Sequence, residues 1–276
     1  MENPQDITSH YSRSELTQSI TRVLQQSGLS LDDITPSNLK GVDEFHTGGV
    51  DATDHLIDQI PIQKSTWVLD IGCGIGGAAR HIALNTGARV TGIDLTPRYI
   101  DTANELSSLV GMNDRTRFCV GSALELPFED QSFDLTTMFH VGMNIDNKQA
   151  LFKEAARVLR PGGMFALFDV METTGGDLTY PLPWASHGDH SFVATPATYT
   201  QAATAVGFDS VTENNRKDFA IEFFNLAFAR QKTQSSPVLN LSILMGPDTP
   251  VKLRNYAQLI KAGQLAPVEM IFRLNE

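Results

Sequence analysis

The stretch Val68–Ala83, VLDIGCGIGGAARHIA, sets Gly72, Gly74, Gly76 and Gly77 behind an apolar run that carries Asp70. A glycine turn between a strand and a helix lets a nucleotide-like ligand approach the backbone. Read as G-x-G-x-x-G (Gly72, Gly74, Gly77), it suits a dinucleotide; read as D-x-G-x-G-x-G (Asp70, Gly72, Gly74, Gly76), it suits S-adenosylmethionine. Asp94 ends the next apolar run, where a carboxylate accepts ribose hydroxyls in either case. Asp70 separates the two readings. A negative charge there sits badly beside a pyrophosphate and well beside the ammonium of a methionyl group.

Two further residues stand where chemistry could follow. His140 closes the fourth strand-like run and Asp169 the fifth. A histidine titrates near neutral pH, and a positioned base speeds removal of a hydroxyl proton by roughly 10²–10⁴-fold. Asp169 would orient or charge-stabilise His140, or meet the acceptor directly. The plainer reading makes His140 a satisfied structural side chain and Asp169 a cap on the next turn. A neutral amine acceptor needs no strong base and would leave both as positioning groups. Trp184, beside Pro183, offers either an aromatic wall for the acceptor or an anchor for its loop. His187, Asp189 and His190 lack further ligands at suitable spacing, so no metal is expected.

These residues need an α/β frame. Strands are expected at Val68–Ile71, Arg89–Asp94, RFCVGSA, FDLTTMFH and MFALFDV, with another near Val211 and one at the end of the chain. Helices fall between them: Ala78–Asn85, one opened by Thr96 and Pro97, and NKQALFKEAARVL, ended by Pro161-Gly162-Gly163. Such alternation implies a parallel sheet with helices on both faces. Upstream, Ser12-x-x-Glu15 reads as a capping box before Leu16, Ile20, Val23 and Leu24, and a connector leads to a helix around Val50–Gln59. The expected division is a helical N-terminal segment covering the cofactor (1–60) and a core (61–276), with lid insertions near 171–195 and 219–250.

Composition narrows the class. A formal charge of −11, from 21 basic and 32 acidic side chains without a basic cluster, disfavours a nucleic-acid partner. No apolar run approaches the ~20 residues that span a bilayer, so no membrane partner is expected. Two cysteines and a polar N-terminus without signal-peptide character point to the cytoplasm. Oligomeric state is not legible.

Taken together, DEFHTGGVDAT, VLDIGCGIGGAAR, TGIDLTP, ALELPFEDQSFD, FHVGMNIDNKQALFKEAARVLRPGG and YPLPWA resemble the class I S-adenosylmethionine-dependent methyltransferases. The resemblance lies closest to the small-molecule branch with sarcosine/dimethylglycine N-methyltransferase-like and natural-product or sugar O-methyltransferases, and covers most of Asp43–Ala185. It implies a Rossmann-like sheet of seven strands with an antiparallel last strand, S-adenosylmethionine as cofactor and a small-molecule methyl acceptor. It further implies Asp70, Gly72 and Gly74 at the methionyl end, Asp94 on the ribose, Leu95 on the adenine, and Ser122 and Ala123 at the adenine rim. Relatives commonly carry Asp where Ser122 stands. Phe139 and His140 would lie beside the sulfonium, Tyr11 and His46 would close from the N-terminal segment, with His46 and Trp184 toward the acceptor, and His140 with Asp169 would form the base pair. An NAD-linked oxidoreductase and a non-catalytic cofactor-binding protein are the competing functions.

Overall fold

Seven strands, β1 (Trp67–Ile71), β2 (Arg89–Asp94), β3 (Thr116–Val120), β4 (Phe133–Phe139), β5 (Leu159–Glu172), β6 (Phe208–Asn215) and β7 (Leu265–Leu274), form one sheet in the computed structural model. The structure describes residues 14–233 and 239–276. The strand order is β3-β2-β1-β4-β5-β7-β6. β1 pairs parallel with both β2 and β4, so the winding reverses at β1, the place where open α/β sheets bind ligands. β7 alone runs antiparallel, against β5 and β6. The expected parallel frame and antiparallel last strand are both present.

Alternation along the strands builds the two faces. Phe165 and Leu167 of β5 join Phe152, Tyr199 and Phe272 in one core, while Ala166 and Phe168 join Leu56, Ile82 and Ile100 in the other. The first face is covered by α6 (Lys148–Val158) and α7 (Pro196–Thr204). The second is covered by α3 (Val50–Ile57), α4 (Gly77–Thr86) and α5 (Pro97–Leu109). Sheets buried on both faces read as near-continuous apolar runs, which is how these strands appear in the sequence.

The N-terminal helices α1 (Glu15–Gln26) and α2 (Pro36–Asp43) are not an independent layer. Ile20, Leu24, Leu39 and Val42 share a core with Ile75 of the glycine turn, Leu106 of α5, and Leu239 and Leu244. The Ser14 N–H donates to Glu105 of α5 at 2.8 Å. Of three later helices, α8 (Lys217–Thr233), α9 (Ser242–Met245) and α10 (Thr249–Ala262), the first and third pack with the 171–195 loop over the β5–β7 end, and α9 joins the core of α1 and α2 through Leu244.

Several boundaries differ from the sequence reading. Ser14, not Ser12, caps α1, its side chain accepting from the Thr17 N–H; Ser12 lies outside the described residues. The connector contains α2, announced by Thr35-Pro36, where the Thr35 N–H donates to Asn38 Oδ1 at 2.8 Å. The helix α6 ends at Val158, before Pro161-Gly162-Gly163, which lie inside β5 at an irregularity in its pairing with β4. Proline has no N–H to give a ladder, so an irregular register accommodates it. The strands β3 and β4 stop at Val120 and Phe139, leaving Ser122, Ala123 and His140 in the loops that follow.

Candidate active site

The glycine turn is fastened to β2. The N–H groups of Gly72 and Cys73 both donate to Ile93 O, at 2.7 and 3.0 Å. Two of its glycines are demanded by neighbouring chain. A Cβ on Gly72 (φ +71°) would lie 2.3 Å from Val141, and one on Gly77 would lie 1.9 Å from the Asp43 carbonyl. The turn is thereby wedged between α2 and the loop that carries His140.

Asp94 is set by backbone donors. Its Oδ2 accepts from the Gly74 N–H at 3.1 Å and its Oδ1 from the Thr96 N–H at 2.8 Å. Each oxygen keeps a lone pair for a ligand hydroxyl. Next to it Leu95 is 70% exposed, and Val120 at the end of β3 is 48% exposed. Exposed apolar surface of this kind at a sheet edge suits a flat ring laid on it. Ser122 Oγ accepts from the Leu124 N–H at 3.1 Å; Ser122 and Ala123 are half-buried on the loop after β3.

Asp70 is buried, and the Thr137 hydroxyl donates to its Oδ1 at 2.9 Å. Burial pushes its pKa up to about 7, with the charge of Asp94 adding to the effect. A carboxyl held this way is poised to ionise when a cation arrives. These residues fit S-adenosylmethionine: two carboxylates for ribose and ammonium, a glycine turn, and an uncovered apolar ledge.

His140 occupies the left-handed region at φ +53°, unusual for a side chain of its size. Its N–H donates to Phe168 O at 2.7 Å, tying the turn to β5. Among the described residues the buried Nε2 has no hydrogen-bond partner. Its ring centroid lies 5.0 Å from that of Phe168 and 5.9 Å from that of His46. Burial, reinforced by His46, holds its pKa well below the ordinary 6.5, so the ring is neutral at pH 7.

Phe139 is buried in the core and stacks on His46 at 5.0 Å, so it supports the site from beneath. His46 is held by its own segment. Its Nε2 is engaged by Gly49 O at 3.1 Å and Thr53 Oγ1 at 3.2 Å, and burial lowers its pKa to about 4. It acts as a neutral wall behind His140. The Thr53 hydroxyl also donates to Glu44, whose pKa burial raises to about 7.

Asp169 does not close the fifth strand as expected, since β5 runs on to Glu172 paired with β7, and among the described residues no hydrogen bond joins it to His140. Its Oδ2 accepts from the Tyr199 hydroxyl at 2.6 Å and its Oδ1 from the Val170 N–H at 2.9 Å. Burial raises its pKa to about 6. Trp184 donates through Nε1 to Ser191 Oγ at 2.9 Å and meets Tyr256 edge-on at 5.4 Å, which anchors the 171–195 loop. Tyr11 lies outside the described residues. Among the described residues no group of three or more His, Cys, Asp or Glu side chains could hold a metal, and no helix is long and apolar enough to cross a membrane.

Sequence reasoning passed over Arg80, Thr137, Lys148 and Tyr199. Arg80 is fully buried, donating to Asp43 Oδ1 at 2.5 Å and Ile75 O at 2.8 Å, so it locks α2 against the glycine turn. Its signal was an arginine on the alanine-rich, core-facing side of α4.

Comparison with known proteins agrees with this geometry. A family model described as a methyltransferase domain matches residues 69–167. The sterol 4-C-methyltransferase strm-1 of Caenorhabditis elegans is 34% identical over 123 residues, 45% of this chain and 36% of that protein. The 27-O-demethylrifamycin SV methyltransferase of Amycolatopsis mediterranei is 35% identical over 119 residues, 43% of this chain and 44% of that protein. The match thus spans less than half the length of either relative. The crystal structure of a putative sarcosine dimethylglycine methyltransferase from Galdieria sulphuraria superposes with a TM-score of 0.66 at 22% identity, covering 82% of this chain and 86% of that one, which establishes a shared fold. Residues 69–167, which carry Asp70, the glycine turn, Asp94 and His140, are thus the part of the chain that is similar to a methyltransferase domain.

Proposed function

We propose that the protein transfers a methyl group from S-adenosylmethionine to an oxygen or nitrogen of a small organic acceptor. When bound, the cofactor supplies a methyl group made electrophilic by its sulfonium. Asp94 holds the ribose hydroxyls, Leu95 and Val120 carry the adenine with Ser122 and Ala123 at its rim, and Asp70 with Gly72 and Gly74 meets the methionyl end. The observation that carries the reading is the juxtaposition of an acid awaiting a cation (Asp70, on β1) and a neutral base whose nitrogen is unpartnered among the described residues (His140, just after the adjacent β4).

An oxygen acceptor is favoured. A hydroxyl must lose its proton around the time of attack, and the open His140 Nε2 can accept it if the Nδ1–H tautomer is present. Phe168 and His46 pack against the ring, and its burial keeps it neutral, so the nitrogen lone pair is available before the transfer. An NAD-linked oxidoreductase fits less well because Asp70 would face a diphosphate. The net charge of −11 argues against a nucleic-acid acceptor, and the two free cysteines support a reducing compartment such as the cytoplasm.

The test is incubation with methyl-labelled S-adenosylmethionine and a panel of hydroxyl and amine metabolites. Label in an acceptor together with release of S-adenosylhomocysteine is expected. Tight cofactor binding with no label transferred to any acceptor would instead indicate a non-catalytic binder.

A further inference from the structure

The Gly142–Asn144 turn that follows His140 is seated on a buried polar group that the proposed chemistry does not use. Asp169 accepts the Tyr199 hydroxyl at 2.6 Å, and the Met143 backbone of this turn helps lower the pKa of the same carboxyl against burial. The fit is close. A Cβ on Gly142 would lie 2.2 Å from Asp169 Oδ2 and 2.5 Å from the Tyr199 hydroxyl, so the turn's backbone rests directly on the pair.

Lys148 closes the far side. It is only 5% exposed, and a lysine is seldom buried without partners. Its ammonium donates to Ile145 O and to Phe192 O, the latter at 2.8 Å, and lies 5.4 Å from the centre of the Tyr199 ring. Phe192, in the 171–195 loop, also donates its N–H to Met143 O at 2.8 Å. One lysine thus holds the turn after β4 and the loop after β5, while a carboxylate and a phenol hold the same turn from below.

We infer that Asp169, Tyr199 and Lys148 form a clamp that fixes the His140 turn and latches the 171–195 loop onto it, making all three positioning residues. His140 needs such a device because its left-handed backbone is strained and persists only where surrounding contacts over-determine it. A displacement of about 1 Å at a reacting group can cost ~10²-fold in rate, so holding the turn still has catalytic value. The clamp gives Asp169 a role different from that of a direct partner to His140. The catalytic meaning of the clamp rests on the proposed methyl transfer; its existence does not.

The test is amide hydrogen exchange and ¹⁵N-histidine spectroscopy on the full chain, comparing wild type with Tyr199→Phe, Asp169→Ala and Asp169→Asn. Tyr199→Phe keeps the ring and removes only the hydroxyl. It is expected to raise exchange at Met143, Ile145 and Phe192 by about 10-fold or more, with Leu69 and Thr136 in the central strands unchanged. The ring nitrogen signals of His140 are expected to shift while those of His46 stay. Asp169→Asn, which retains an acceptor oxygen, should restore part of the protection that Asp169→Ala loses. Unchanged exchange at Met143 and Phe192 would overturn the clamp. So would a uniform rise that includes Leu69 and Thr136, since Tyr199 would then only fill the core. Titration of the same samples with S-adenosylhomocysteine keeps the questions apart: absence of binding to the wild type removes the methyltransferase reading and leaves the exchange result standing.

Discussion

The two sides of the candidate site are fastened differently. On the cofactor side, backbone donors tie the turn after β1 to the adjacent β2, Gly72 and Cys73 to Ile93 and Gly74 to Asp94, and the Thr96 N–H fixes Asp94 locally. On the acceptor side, side chains from distant parts of the chain meet. Trp184 abuts Tyr256, Tyr256 reaches Thr47 at 3.2 Å, and Tyr199 reaches Asp169. Backbone-built features tolerate change in most side chains, whereas side-chain contacts can be rebuilt for a new ligand. The family match stops at residue 167, close to where the first kind of construction gives way to the second.

The largest expected effect breaks the cofactor side through its support. Arg80→Met leaves Asp43 buried without its cation and should destabilise the fold by about 3–5 kcal/mol, read as a lowered midpoint in urea. An unchanged midpoint would show that α2 is not locked to the glycine turn by this pair. Next comes the divide itself. His140→Ala should lower turnover by at least ~10²-fold while cofactor affinity stays within a few-fold. Equal loss in both would assign His140 a structural role.

A third effect follows from Asp70. Its pKa of about 7 in the free protein means that below pH 7 it must first release a proton to meet an ammonium. Cofactor affinity should therefore fall as pH falls, with Kd rising ~10-fold from pH 8 to pH 6. In the free protein the sign is opposite. A folded pKa raised above 3.8 makes the native state bind more protons, so this group's contribution to stability declines as pH rises toward about 7. A flat affinity profile would remove Asp70 from the cofactor contact. The smallest effect probes the acceptor side alone: Trp184→Ala should loosen the 171–195 loop and raise the acceptor KM several-fold, with cofactor affinity unaffected. Matching changes in both would mean that the two sides are not separable.

The same contrast explains what could be read from the sequence. The glycine turn, Asp94 and the Thr96-Pro97 helix start follow from local residue types, and each stands where the pattern put it. His140 was legible as a residue at a strand end, but its left-handed backbone and open Nε2 depend on Phe168 and His46, which sequence spacing does not bring together. Asp169 was read as the end of the fifth strand, which the pairing with β7 carries on to Glu172, and nothing local points to its bond with Tyr199, 30 residues on. His46 looked available for the same reason: its bonds to Gly49 and Thr53 arise from the local fold of the segment between α2 and α3.

Everything returns to whether a cationic thioether donor settles against Asp70 and Asp94. Calorimetric titration with S-adenosylmethionine at pH 7, in two buffers of different ionisation enthalpy, asks this directly. One site per chain with release of about half a proton on binding is the expected result, since an acid of pKa about 7 is half ionised there and becomes fully ionised against the ammonium. Absence of binding heat at protein concentrations that detect micromolar affinity, or binding without proton release, would contradict the account.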